Sequence, residues 1–111
     1  MTTIFSQIIE GKIPSEKVFE NDRILAIKDI HPVAPVHLLL IPKKPIKNIQ
    51  SVSQEDYPLI CEIIEVAQKL AIQFKVEEGY RLITNNGEEA GQTIFHLHFH
   101  LIGGRLLTEL A

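Results

Sequence analysis

The 111-residue chain has no tryptophan, one methionine, one cysteine and few aromatic residues. A lone cysteine, Cys61, excludes an intramolecular disulfide and fits a reducing compartment. No apolar run approaches the roughly 20 residues that a membrane helix needs. The N-terminal stretch MTTIFSQIIEGKIP lacks the basic segment and long apolar block of a secretory signal. Basic excess is missing too, since 11 Lys and Arg stand against 14 Asp and Glu, with no basic stripe. That balance excludes a general phosphate-backbone binder and leaves a single nucleotide open as a ligand. The PKKPIK cluster, Pro42 to Lys47, reads as a solvated turn. Repeats, low-complexity tracts and linkers are also absent. The expectation is one cytoplasmic domain over residues 4–111, with neither a membrane nor a nucleic acid as partner.

What is present is a set of short apolar segments. Ile4, Phe5, Ile8 and Ile9 share one face of a short helix that GKIP ends. KVFEN and RILAIKDI read as two strands joined by a turn at Asn21-Asp22, and HPVAP as a proline-stiffened loop. VHLLLIPKK is a near-continuous apolar strand, expected inside a sheet, with His37, Leu39 and Ile41 on one face and Val36, Leu38 and Leu40 on the other. The spacing of Leu59, Ile60, Ile63, Ile64, Ala67, Leu70, Ala71 and Phe74 predicts a long helix over Asp56 to Phe74. Pro58 fits only its first turn, which puts the N-cap at Ser53 or Asp56. YRLIT and TIFHLHFHLI read as further strands, separated by the polar loop NNGEEAGQ. Strands and helices do not strictly alternate. The fold class is therefore α+β, an antiparallel sheet of about five strands with one long and one short helix.

The last strand sets His96, His98 and His100 at alternate positions, with Leu97, Phe99 and Leu101 between them. On a strand the three imidazoles would line one face over roughly 13 Å while the apolar residues enter the core. Three readings are open. The face could be merely solvated. Two or three imidazoles could hold zinc, with His37, Glu88 or Glu89 completing a tetrahedron, although ligands spread over that span would have to lean inward. Or the imidazoles could act on an anion, since neutral histidine is a nucleophile and proton carrier near pH 7. The last reading is favoured by Asn85, Asn86, Gly87, Gly91, Gln92 and Thr93 just upstream. They offer amides, a hydroxyl and close backbone approach to a phosphate.

The run His96 to Ile102 resembles the alternating signature of the histidine triad superfamily. TIFSQIIEGKIPSEKVFENDRILAIKDIHPVAPVHLLLIPKK and GYRLITNNGEEAGQTIFHLHFHLIGGR resemble its Hint branch, the histidine triad nucleotide-binding proteins. This resemblance covers nearly the whole chain. It implies a purine nucleoside phosphoramidase acting on AMP-type substrates, without metal or cofactor, in a homodimer with paired sheets. By resemblance His98 is the nucleophile and becomes nucleotidylated, while His100 bonds the phosphate and leaving group. His96 flanks the nucleophile, and His37 orients His98 or His96. Thr93 stands where the family usually has serine. Asn85, Gly91 and Gln92 match contacts to phosphate and ribose, and Asp29, beside Ile30, matches the carboxylate that holds the ribose hydroxyls. The base pocket would comprise Ile4, Phe5, Ile8, Ile27, Ile30 and Leu39, with Ile27 where the family often has an aromatic. Alternatives are dinucleoside polyphosphate hydrolysis, as in the fragile histidine triad branch, and a nucleotide-sensing or protein-binding module with little turnover. Nucleotidyl transfer to a sugar phosphate is disfavoured, because that branch has glutamine where this chain has His100. The terminal RLLTELA lacks the tryptophan-proline tail of some relatives, so the resemblance does not extend to leaving-group specificity.

Overall fold

The computed structural model describes residues 2–110; Ala111, the end of the expected domain span, lies outside them. The first helix, α1 (Ile4–Ile9), opens with a reciprocal cap. Thr3 Oγ1 accepts from the Ser6 amide at 3.1 Å, and Ser6 Oγ accepts from the Thr3 amide at 2.8 Å, pairing two otherwise orphaned donors. Strands β1 (Lys17–Glu20) and β2 (Ile24–Lys28) form the expected hairpin. Its turn is fixed by Asn21, whose Oδ1 accepts from the amides of Arg23 and Ile24, both at 2.8 Å. Strand β2 stops at Lys28, short of Asp29 and Ile30, because Asp29 Oδ1 accepts from the His31 amide at 2.8 Å and bends the chain into a loop.

Strand β3 (Val36–Pro42) is the middle of an antiparallel sheet that also includes β4 (Tyr80–Ile83) and β5 (Phe99–Gly103), in the order β1-β2-β3-β5-β4. Both faces of β3 are buried, as its unbroken apolar run requires. Leu38 and Leu40 join a core with Ile24, Ala26, Leu97, Phe99 and Leu101 beneath the long helix α2 (Tyr57–Gln73). Leu39 and Ile41 join Leu25, Ile27, Phe5 and Ile8 on the opposite face, beneath α1. The alternation expected for β3 is the one observed. No helix among the described residues is long and apolar enough to cross a membrane.

Helix α2 is the one expected, with Asp56 as its N-cap, Phe74 as its C-cap and Pro58 in its first turn, but its buried stripe is Ile63, Val66, Ala67, Leu70 and Ala71. Ile64 is exposed instead, because the helix rests on the sheet along the Ile63 and Val66 line and Ile64 is rotated away from it. The last strand begins at Phe99, not Thr93. Residues 93–98 instead form irregular chain anchored by other bonds. The Leu97 amide donates to Ile46 O at 2.6 Å, and Thr84 Oγ1 donates to His98 O at 2.8 Å. Thus only His100 of the three histidines belongs to a regular strand.

Leu70 is almost fully buried between α2 and the sheet. Leu70→Ala is expected to lower unfolding free energy by about 2–5 kcal/mol, measured by urea denaturation with an unchanged slope.

Candidate active site

A cavity of about 380 Å³ lies on the α1 face of the sheet, over the end of β2, the middle of β3 and the start of β5. Ile4, Phe5 and Ile8 of α1 wall one side, while Ile27 and Leu39 of the sheet form the floor. His98, His100, Asn85, Gly91 and Thr93 form a polar end, and Asp29 and the exposed Ile30 form a rim. The fold therefore brings together most of the expected residues from segments that are far apart in the chain. His31, Ile13, Pro14, Ser15 and Ile94 line it as well and were not expected. Ile13 and Ile94 had only ordinary apolar character to mark them in the sequence.

Three expected members sit elsewhere. Gln92 is buried outside the cavity, with both ends of its amide engaged. Its Oε1 accepts from the Gly87 amide at 2.8 Å, and its Nε2 donates to Lys47 O and Ile94 O at 2.9 and 3.0 Å. It thus braces the loop from Gly87 to Ile94. That loop needs glycine at Gly87 and Gly91, which hold φ of +89° and +95°, a region costly for side chains. His96 is buried behind the cavity, its Nε2–H donating to Pro42 O at 2.7 Å and its ring edge-on to Phe5. His37 bonds His100, in place of the expected His98 or His96. Its Nε2 meets His100 Nδ1 at 2.9 Å, because β3 and β5 are adjacent and Leu39 is the residue paired with His100, leaving His37 one pleat along the same face.

The hydrogen-bond network assigns the tautomers. The Val33 amide donates to His37 Nδ1 at 3.2 Å, so the His37 proton is on Nε2. His37 Nε2–H then donates to His100 Nδ1, which places the His100 proton on Nε2. His98 Nδ1–H donates to the His96 carbonyl at 2.8 Å, leaving His98 Nε2 with a free lone pair. One imidazole of the cavity thus offers a lone pair and its neighbour offers a proton, with the two ring centroids 5.2 Å apart. Phe5 packs edge-on to His98, centroids 4.8 Å apart, and fixes that ring from the helix side. The controlling groups, the Val33 amide and the His96 carbonyl, are main-chain atoms that carry no signal in a sequence.

All four rings are held below the usual imidazole range, in each case chiefly by burial. Partners oppose the shift: Asp29 at His37, the Pro42 carbonyl at His96 and the His96 carbonyl at His98. His100 is pushed down to about 4 by burial and by the adjacent His98 and His37 rings, against Asp29. His37, His96, His98 and His100 are therefore neutral at pH 7.

Asp29, His37 and His100 each present a ligand atom, all within 4.8 Å of one another, and could hold a metal ion. This grouping is not the zinc set weighed as one reading of the triad, because His96 faces Pro42 and Glu88 and Glu89 are exposed on their own turn. The same atoms already make the short internal contacts, His37 Nε2 to His100 Nδ1 at 2.9 Å and to Asp29 Oδ2 at 3.3 Å. A cation there would have to displace the His37 proton.

Comparison with known proteins adds a family to this geometry. The HIT domain family matches residues 10–107. A HIT-like protein of Chlamydia pneumoniae is 52% identical over 98% of this chain and 99% of its own length. A HIT family hydrolase from Clostridium thermocellum has a TM-score of 0.94 at 44% identity, covering 98% of this chain and 96% of that one. A histidine triad nucleotide-binding protein from Candida albicans has a TM-score of 0.82 at 32% identity, covering 99% of this chain and 86% of that one.

The depressed imidazoles have a consequence for stability. In the unfolded chain they titrate near ~6.5, whereas in the folded chain they take up protons only at lower pH, about 4 for His100. Between those values the unfolded state binds more protons, so stability falls as pH falls and is fully present above ~6.5. Urea midpoints measured from pH 7.5 down to 4 should decline across that window, and His100→Asn should flatten the decline. A flat wild-type profile would contradict it.

Proposed function

The chain belongs to the HIT domain family, and from that premise we propose that it is a purine nucleotide-binding hydrolase. Its substrates would be of the adenosine 5′-phosphoramidate or aminoacyl-adenylate type, cleaved through a nucleotidyl-histidine intermediate. One observation carries this reading. The His98 ring, with Nε2 unprotonated, and the His100 ring, with Nε2 protonated, lie with centroids 5.2 Å apart in the lining of a largely apolar cavity.

In the first displacement His98 Nε2 attacks phosphorus. The bond from phosphorus to a protonated leaving nitrogen breaks, and the amine departs neutral. His98 gains positive charge, which the Nδ1–H bond to the His96 carbonyl stabilises. His100 Nε2–H, Asn85 and the Thr93 hydroxyl supply donors to the phosphate and leaving group, already oriented before the reaction. In the second displacement water attacks phosphorus, His98 Nε2 leaves neutral, and a nucleoside monophosphate and a proton are released. His37 is a positioning residue here, holding His100 in the donor tautomer. Asp29 is assigned to the ribose hydroxyls. Each of its oxygens has a protein partner, His31 N at 2.8 Å and His37 Nε2 at 3.3 Å, but each retains acceptor capacity. Phe5, Ile8, Ile27 and Leu39 would enclose the base. A reducing, cytoplasmic setting fits the single exposed Cys61.

His98→Ala is expected to abolish turnover of adenosine 5′-phosphoramidate while weakening AMP binding far less. Rapid quench of the wild type followed by mass spectrometry should find the nucleotide adduct on His98. An adduct on another histidine, or full activity in the variant, would overturn the assignment. The wild-type rate should also hold steady through ~6.5 and fall only at lower pH, since burial depresses His98.

A homodimer belongs to the same proposal. Strand β4 is a sheet edge, and α2 exposes Tyr57, Ile64 and Ile72, surfaces that association would cover. Light scattering at micromolar concentration should return twice the chain mass; a clean monomer would refute this part.

A further inference from the structure

Among the cavity-lining polar side chains that the proposed chemistry does not use, Ser15, Lys28 and His31, the serine stands out. Ser15 lies just before β1, on the cavity wall between Pro14 and the floor residue Ile27. The β1–β2 register pairs Lys17 with Ile27, and the Lys28 amide continues it by donating to Glu16 O at 3.0 Å. Continued one step past the ends of both strands, that register would set Ser15 across from Asp29. Paired residues share a face of a sheet, and Ile27, Asp29 and Ser15 accordingly all line the cavity. Ser15 therefore stands one strand beyond the carboxylate assigned to the ribose, on the side away from His98 and His100.

Its hydroxyl is anomalous. Ser15 Oγ is shielded from solvent and has no hydrogen-bond partner, alone in this among the buried side-chain polar atoms of the described residues. A buried polar group left unpaired is unfavourable, and native proteins pair nearly all of them. The neighbouring Lys28 is engaged with Glu16 at 2.7 Å. Phe5, Ile8, Ile13 and Leu39 offer only carbon to whatever occupies the cavity. A heterocycle enclosed there would bury ring nitrogens that also need partners. Two unmet requirements coincide in one place, on a residue that lines the cavity.

We propose that Ser15 is a specificity-determining residue whose hydroxyl hydrogen-bonds the edge of the nucleobase. The inference rests on the nucleotide reading above and extends it. No protein group pairs the Ser15 hydroxyl, and a base in the cavity satisfies it. Ribose and phosphate, bound at Asp29 and the histidines, gain nothing from it.

The test compares wild type and Ser15→Ala by calorimetric titration with AMP and with ribose 5-phosphate, which lacks the base. A neutral hydrogen bond contributes modestly, so Ser15→Ala should bind AMP roughly three- to tenfold more weakly, with ribose 5-phosphate affinity unchanged. The unliganded variant should melt at or above the wild-type temperature, because an unpaired buried hydroxyl has been removed. Equal AMP affinity in the two proteins would overturn the proposal, as would a parallel loss for ribose 5-phosphate. A lower melting temperature would overturn it too, since the hydroxyl would then have a structural partner. Wild type that binds AMP no better than ribose 5-phosphate would instead remove the nucleotide reading, and this inference with it.

Discussion

The two-sided burial of β3 is the constraint from which the rest follows. A strand that reads Val-His-Leu-Leu-Leu-Ile-Pro can satisfy its side chains only if both faces of the sheet are covered. Helix α2 covers one face with a continuous stripe, and α1, only six residues long, covers part of the other. Because α1 is too short to roof the whole sheet, the face bearing His37, Leu39 and His100 retains a hollow. The cavity is the region of the second face that the small helix leaves uncovered.

Electrostatics follows from the same burial. Four imidazoles are drawn into a low-dielectric layer between sheet and helix, and each loses affinity for a proton there. Neutral imidazoles need defined tautomers, and the fold supplies them through fixed main-chain atoms. The Val33 amide sets His37, which sets His100, while the His96 carbonyl sets His98. Nucleophile and donor are thus distinguished by their neighbours, since both are the same residue type. His96 contributes mainly through its carbonyl, and its own ring ties that segment to the end of β3 at Pro42.

The polar loop from Gly87 to Thr93 shows how composition is apportioned. Its glycines permit the left-handed turns, and buried Gln92 holds the loop shut from within. Only Gly91 and Thr93 of this loop, with Asn85 ahead of it, reach the cavity. A loop rich in amides and glycine invites an all-phosphate reading, yet part of that inventory is spent on holding the loop itself in shape.

What the sequence determined by itself were the features that repeat with a local period. The α+β class, the hairpin at Asn21, the two faces of β3 and the long helix were all legible, because side-chain direction along a strand or helix follows the backbone period. So was the motif of three histidines. Tertiary structure decided what period cannot carry. It started the last strand only at Phe99, so that three evenly spaced histidines have different surroundings. His37 was turned toward His100, Gln92 into the loop interior and Ile64 out to solvent. Ser15 and Asp29 came to line one cavity across the β1–β2 hairpin, a nearness that only strand pairing defines. The physical reason is common to all of these. A side chain's partner, its exposure and its proton affinity depend on atoms contributed by distant segments, many of them main-chain amides and carbonyls identical at every position.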